Sequence, residues 1–205
     1  TTTVAQSKSN QLEEIVVTAT RRVQTLQEAP LSIAAISGAE IDARGFVGMA
    51  DYLNSVPGVT FQDFGVGRNQ IVIRGIGSSL FEEATVGTYF DEVPLTPVAE
   101  GLTIDLKLVD MNRVEVLRGP QGTLFGAASL GGTVRNIPAA PELGRFTANA
   151  RATYSNTSQS GGNNYDVSGA LNLPVGETVV VRVVGYYFDQ SGFIRNVGAD
   201  VPALV

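Results

Sequence analysis

The chain changes rhythm along its length. A polar, aperiodic stretch over 1–12 gives way to Glu13-Glu14-Ile15-Val16-Val17-Thr18-Ala19-Thr20, followed by Arg21-Arg22. Consecutive β-branched residues are stiff at χ1 and favour extended backbone, so this segment predicts a strand. Pro30 to Ile36 reads as another. Ser37-Gly38-Ala39-Glu40 has the form of a capping box and predicts a short helix running to Gly45. Met49, Tyr52, Leu53 and Val56 recur at i, i+3, i+4 and i+7, giving a second helix with one apolar core-facing side that Pro57-Gly58 ends. Val59 to Gln62, Gln70 to Ile73, Val86 to Asp91 and Arg113 to Leu117 are strand candidates separated by turn-rich or polar stretches at 63–69, 78–83 and 96–101. These elements predict a small mixed α+β domain over 28–140, preceded by a flexible segment over 1–27.

Past Gly144 the period becomes a strict two. Phe146, Ala148, Ala150, Ala152 and Tyr154 alternate with Thr147, Asn149, Arg151, Thr153 and Ser155; Tyr165, Val167, Gly169, Leu171 and Leu173 alternate with polar or small residues; Val179 to Phe188 sets Val181, Val183 and Tyr187 against Arg182. A Ser/Gly/Asn loop separates the first two strands, and Pro174-Val175-Gly176-Glu177 turns tightly into the third. Antiparallel two-faced strands with alternating long and short connections and terminal aromatics suit a transmembrane β-barrel, as they also suit a soluble meander with one wet face. Three strands cannot close a barrel, and an open edge in lipid leaves amides and carbonyls unpaired. Residues 141–205 are therefore expected to form only the first strands of a barrel completed by more of the same chain or by other chains.

Composition narrows the chemistry. The chain has no Cys and no His, which removes disulfides, thiolate or imidazole metal sites and His-based catalysis. A net charge of -6 with scattered basic residues argues against a nucleic-acid partner. Adjacent acids such as Glu82-Glu83 or Asp91-Glu92 are weak candidates for paired-carboxylate catalysis, because neighbours on a strand point to opposite faces. The glycine runs at 65–67 and 119–122 are not followed by Gly-Lys-Ser/Thr, so neither reads as a phosphate cradle. No metal or organic cofactor is expected. No apolar run reaches the ~20 residues of a membrane helix. Thr3-Val4-Ala5 has the small residues of a signal-peptidase site and reads as an export scar.

The segment over 13–19 has two readings: an ordinary first strand, or a peptide that adds to the open sheet edge of a partner. Its place between a polar terminus and a charged, Gln-containing tether favours the second. Most distinctive is the stretch from Arg113 to Gly126, Arg-Val-Glu-Val-Leu-Arg-Gly-Pro-Gln-Gly-Thr-Leu-Phe-Gly, followed by Gly131-Gly132-Thr133-Val134-Arg135-Asn136-Ile137. It reads as strand, break, short helix, glycine hinge, strand.

With Ile71-Val72-Ile73-Arg74-Gly75 and Tyr89-Phe90-Asp91-Glu92-Val93-Pro94-Leu95, these motifs resemble, in register, the N-terminal part of TonB-dependent outer-membrane receptors over residues 13 to 195. Glu92 stands where that family usually has Gly, and the crossover after Asn136 lacks its usual Lys. The resemblance implies that Glu13, Glu14, Ile15, Val16, Val17, Thr18 and Ala19 form the TonB box, captured by TonB and pulled with energy that ExbB and ExbD draw from the proton-motive force. It implies an α+β plug gating a barrel that sits in outer-membrane lipid of a Gram-negative bacterium and imports a scarce nutrient: a siderophore, cobalamin, another metal chelate, a glycan or an aromatic compound. Arg74 and Arg118 would be a partly buried latch pairing with Glu residues of later barrel strands. Phe64, Arg68, Phe81 and Glu100 would face the transported ligand from plug loops. No signalling domain is expected ahead of residue 13. A free plug-like module that binds TonB or a ligand without spanning a membrane is the alternative; it would leave Leu171, Leu173, Val181, Val183 and Tyr187 in water.

Overall fold

The computed structural model describes residues 16–18, 24–25, 27, 31–64, 69–78, 82–95, 103–158 and 162–192. They fall into two compact units, one of 1–107 with 113–137 and one of 108–112 with 138–205.

The first unit is built on a five-stranded mixed sheet. Its strands are β3 (Ile33–Ser37), β6 (Val86–Phe90), β7 (Val93–Pro94), β8 (Met111–Arg118) and β9 (Gly132–Pro138), ordered β3-β8-β9-β6-β7. β6 and β9 run parallel with Tyr89 opposite Arg135, while β3 and β8 are antiparallel with Ala35 opposite Glu115. Val114, Val116, Leu117 and Val134 are all buried. A run of consecutive buried residues, rather than alternation, marks central strands covered on both faces. Two small antiparallel pairs accompany the sheet: β1 (Val16–Val17) with β2 (Gln24–Thr25), and β4 (Val59–Asp63) with β5 (Asn69–Ile73).

Three short helices complete the unit: α1 (Gly38–Arg44), α2 (Met49–Leu53) and α3 (Gly122–Phe125). Ser37 caps α1 by accepting from the Glu40 amide at 3.2 Å. The capping box is only half realised in side-chain terms, because the Glu40 carboxylate pairs forward with Arg44 at 2.7 Å. Gly45 ends α1 in the left-handed region at φ 69, which a residue without Cβ adopts freely. Met49, Tyr52, Leu53 and Val56 form one buried stripe, as their spacing predicts.

The Tyr89–Leu95 motif is two strands joined by a turn, and the strand expected over Val86 to Asp91 ends one residue earlier, at Phe90. The chain reverses at Asp91 and Glu92, and β7 folds back on β6 with Phe90 opposite Val93. No glycine marks this turn; Asp91 itself takes the left-handed conformation at φ 53, which short polar side chains tolerate.

The second unit contains an antiparallel meander of β10 (Thr147–Asn156), β11 (Asn163–Val175) and β12 (Val179–Asp189). Its register puts Ala152, Val167 and Tyr187 in one row and Ala148, Leu171 and Val183 in another on the same face. That face is exposed along its length: Tyr154, Tyr165, Val167, Leu171, Leu173, Val181, Val183 and Tyr187 all lie open. The other face holds the buried polar groups. Asn172 is fully buried, donates to the carbonyls of Glu142 and Arg145 at 2.8 and 2.6 Å, and accepts from the Glu142 amide at 3.0 Å. Beside it, Arg182 grips Asp110 through both ends of its guanidinium at 2.6 Å each.

Polar groups in and apolar groups out invert the pattern of a water-soluble sheet. From Tyr165 to Val175 the apolar row rises about 33 Å along the strand, or about 25 Å across a bilayer at a tilt of ~40°, the height of the apolar band of an outer-membrane barrel. Tyr154 and Tyr165, whose rings stand 5.4 Å apart, lie at one end of the band, where aromatic residues mark a membrane interface.

Two outcomes are expected for the first unit. A Cβ on Gly132 would stand 2.3 Å from the Leu117 carbonyl oxygen and 2.8 Å from Ile73 Cδ1, at φ 156. Gly132→Ala should therefore cost about 2 kcal/mol or more, read as faster hydrogen exchange of the β8 and β9 amides. Tyr52 is fully buried and donates its hydroxyl to Asn136 at 3.1 Å; burial first, and then the Asp105 charge, raise its pKa well above 10.0. An unfolded tyrosine ionises near pH ~10, so this group's stabilisation is intact below that pH and lost as pH climbs beyond it. Tyr52→Phe should flatten the alkaline fall in unfolding free energy.

Candidate functional site

One strand face of the first unit carries a chain of four charged side chains. Glu115 lies in the middle of β8 and is wholly buried. Its Oε1 accepts from Arg113 Nε at 2.8 Å, and its Oε2 accepts from Arg135 Nη1 on the neighbouring strand β9 at 2.8 Å. Arg135 is 1% exposed and passes its other end, Nη2, to Glu92 Oε1 in the β6–β7 turn at 2.7 Å. Its guanidinium also lies 5.6 Å from the Phe125 ring centre of α3. Burying charge without a partner costs several kcal/mol, and here each buried ion has one.

The strand β1 ends on this network. The Thr18 amide donates to Glu115 Oε1 at 2.8 Å, and the Thr18 hydroxyl accepts from Arg113 Nη2 and Arg135 Nη1 at 3.0 Å each. Val17 is buried at 1% exposure, and β1 is held on one edge by β2. Residues 97 and 117 positions apart thus meet through a single threonine. Of the other residues assigned to the strand-adding segment, Glu13, Glu14, Ile15 and Ala19 lie outside the described residues.

A second basic pair forms at another corner. Arg74 follows β5 at φ 53 and donates from Nη2 to Ser32 Oγ at 2.9 Å. Arg118 ends β8, its amide bonding to the Ser32 carbonyl at 2.9 Å and its Nη1 to the Pro57 carbonyl at 3.0 Å. Arg74 Nη1 would lie 3.6 Å from a Cβ placed on Gly119, the residue after Arg118. The Arg74 guanidinium thus meets Ser32 and the Arg118 guanidinium meets the 57–58 turn, both on neutral acceptors. Arg118 is half-buried and its buried Nε has no hydrogen-bond partner. Arg74 corrects the expectation of burial for both: it is exposed, because its left-handed turn carries the side chain off the end of the strand.

Of the four residues assigned to ligand contact, Phe64 is half exposed at the tip of β4. Arg68, Phe81 and Glu100 lie outside the described residues. The sequence reading missed Glu115 and Arg135 altogether. No local signal marks Glu115, because it shares a strand face with Arg113 and its apolar neighbours Val114 and Val116 point the other way.

A family model described as the TonB-dependent receptor plug domain matches residues 25–133. The chain belongs to the TonB-dependent receptors. The iron-regulated outer membrane virulence protein of Vibrio cholerae is 30% identical over 186 residues, covering 88% of this chain and 28% of that relative. The ferripyoverdine receptor of Pseudomonas aeruginosa is 32% identical over 142 residues, 68% of this chain and 17% of that protein. The crystal structure of the latter, bound to ferripyoverdine, superposes with a TM-score of 0.68 at 27% identity, covering 85% of this chain and 22% of that one. The chain thus spans less than a third of the length of the relatives it matches. These relatives are named as outer-membrane receptors, which agrees with the inverted polarity of the β10–β12 sheet, and this chain is an outer-membrane protein.

The plug of a TonB-dependent receptor with this network should respond unequally to loss of its two carboxylates. Glu115→Ala removes the buried carboxylate shared by Arg113 and Arg135 and should cost about 3–5 kcal/mol. Glu92→Ala removes a half-exposed partner and should cost about 1 kcal/mol or less. Hydrogen exchange of the β9 amides in the purified receptor would show the contrast; equal effects would mean that burial of Glu115 is not what matters.

Proposed function

We propose that this chain is the coupling and gating part of a receptor that imports a scarce nutrient across the outer membrane by the TonB cycle, with a ferric siderophore as the leading cargo. The observation that carries the reading is the docking of β1 and Thr18 on the plug: a short apolar strand near the N-terminus, held by side chains rather than woven into the main sheet. Such a strand can leave the plug without unravelling it and add to the exposed edge of TonB, which ExbB and ExbD would energise. The names of the relatives support iron chelates as cargo; cobalamin, other metal chelates, glycans and aromatic compounds remain within the same class of uptake.

Phe64, with Arg68, Phe81 and Glu100, would meet the ligand from the plug loops, and the ligand passes through unreacted. Arg74 and Arg118 would lock the plug to carboxylates of later barrel strands. Their support is the clustering of two guanidinium groups on neutral acceptors, an arrangement that an anionic partner would stabilise. Residues 1–27 would then serve as coupling segment, 28–140 as plug and 141–205 as the first strands of the barrel wall. A free, soluble plug-like module is disfavoured by the open apolar face of β10–β12.

Uptake of labelled ferric siderophores, haem, cobalamin, glycans and aromatic acids by cells bearing the receptor tests this directly. Accumulation of one cargo should require TonB and collapse when the proton-motive force is dissipated; uptake indifferent to both would exclude the proposal. The Arg74→Ala, Arg118→Ala double variant should admit a bulky antibiotic several-fold faster through the loosened plug, with folding of the β10–β12 sheet unchanged.

A further inference from the structure

The amide and the hydroxyl of Thr18 are already engaged. Its amide donates to Glu115, and its hydroxyl accepts from Arg113 and Arg135. Val16 and Val17 are meanwhile paired with Thr25 and Gln24. A partner that captures this segment by strand addition needs its backbone donors and acceptors. The Thr18 amide has one hydrogen to give, so bonding to Glu115 and to a partner strand are alternatives.

We propose that Glu115, fixed by Arg113 and Arg135, is a latch on the coupling strand, so that TonB must compete with a buried carboxylate for Thr18. This rests on the coupling role proposed above and adds what sets the resting affinity.

Two properties make the arrangement a latch and not a permanent bolt. The charges balance without the strand: Arg113 and Arg135 stand against Glu115 and Glu92, joined by ion pairs at 2.7–2.8 Å. Thr18 is the neutral member, so its departure removes hydrogen bonds but leaves no ion unpaired, and the costly event of a stranded buried charge is avoided. The receiving groups are also preorganised. Glu115 is held from both sides by guanidinium groups on β8 and β9, so the acceptor stays in place for the strand to return.

These 205 residues hold no cysteine, so in a receptor freed of any cysteine elsewhere, one introduced by Val16→Cys reports on β1. The receptor in native outer membranes, without cargo, would be labelled with a maleimide, and the affinity of the soluble TonB domain measured in parallel. Thr18→Val keeps the β-branched shape and the amide but removes the hydroxyl that two arginines address. It should speed labelling and tighten TonB binding by about tenfold each, the effect of losing hydrogen bonds to charged groups on a local opening equilibrium. Thr18→Ser, which restores the hydroxyl, should return both to within about twofold of the parent.

Unchanged labelling in Thr18→Val, with TonB binding intact, would overturn the latch and leave the coupling role standing. Absence of TonB binding to parent and variant alike would overturn the latch by removing the coupling role it serves. The Thr18 variants leave all four charges in place, so they keep the test open even if Glu115→Gln fails to fold.

Discussion

A carboxylate sealed in the middle of a sheet is the constraint around which the plug is organised. Glu115 admits no water, so its charge is tolerable only while Arg113 and Arg135 hold their positions, and those positions come from two adjacent strands, β8 and β9. The register of that pair, the close approach of Gly132 to the Leu117 carbonyl and the turn that brings Glu92 to Arg135 all serve the same geometry. A hydrophobic core would have filled the space at lower cost. What charge adds is direction: it creates a place on the plug surface where one particular backbone amide and one hydroxyl are wanted.

The β10–β12 sheet obeys a different solvent. Its buried polar group is an asparagine beside a largely covered Arg–Asp fork, while valines, leucines and tyrosines stand exposed along one face. In water this arrangement would be driven to collapse or aggregate; in a bilayer it satisfies both faces. The two units therefore follow opposite rules with one alphabet, and the switch comes close to where the strand period changes from irregular to two.

Most of the architecture was legible because local signals agreed with the fold. The Met49, Tyr52, Leu53, Val56 stripe, the Ser37 cap and the alternating strands beyond Thr147 each follow from spacing alone. The left-handed conformation of Asp91 was not legible, since a turn made by Asp lacks the glycine that normally announces it. Burial of Glu115 was hidden for another reason. Arg-Val-Glu on a strand looks like a solvated charged row, and only the partners, 20 residues away at Arg135 and 97 away at Thr18, reveal that the row faces inward. Arg74 and Arg118 show the converse: their strand-end position suggested burial for both, while backbone conformation decided the matter for one.

The long span between Thr18 and its partners also bears on how the molecule is made. Contacts between residues 97 and 117 positions apart form only after the intervening chain has been ordered, so they come late in folding. β1 precedes β8 and β9 in the chain, so it is made before the pair that completes its docking site. Until then β1 is a sticky apolar strand with no home, the kind of segment that invites misassembly. The Val-Val dipeptide proposed to suit a partner's sheet edge is thus a hazard during assembly until β8 and β9 have paired.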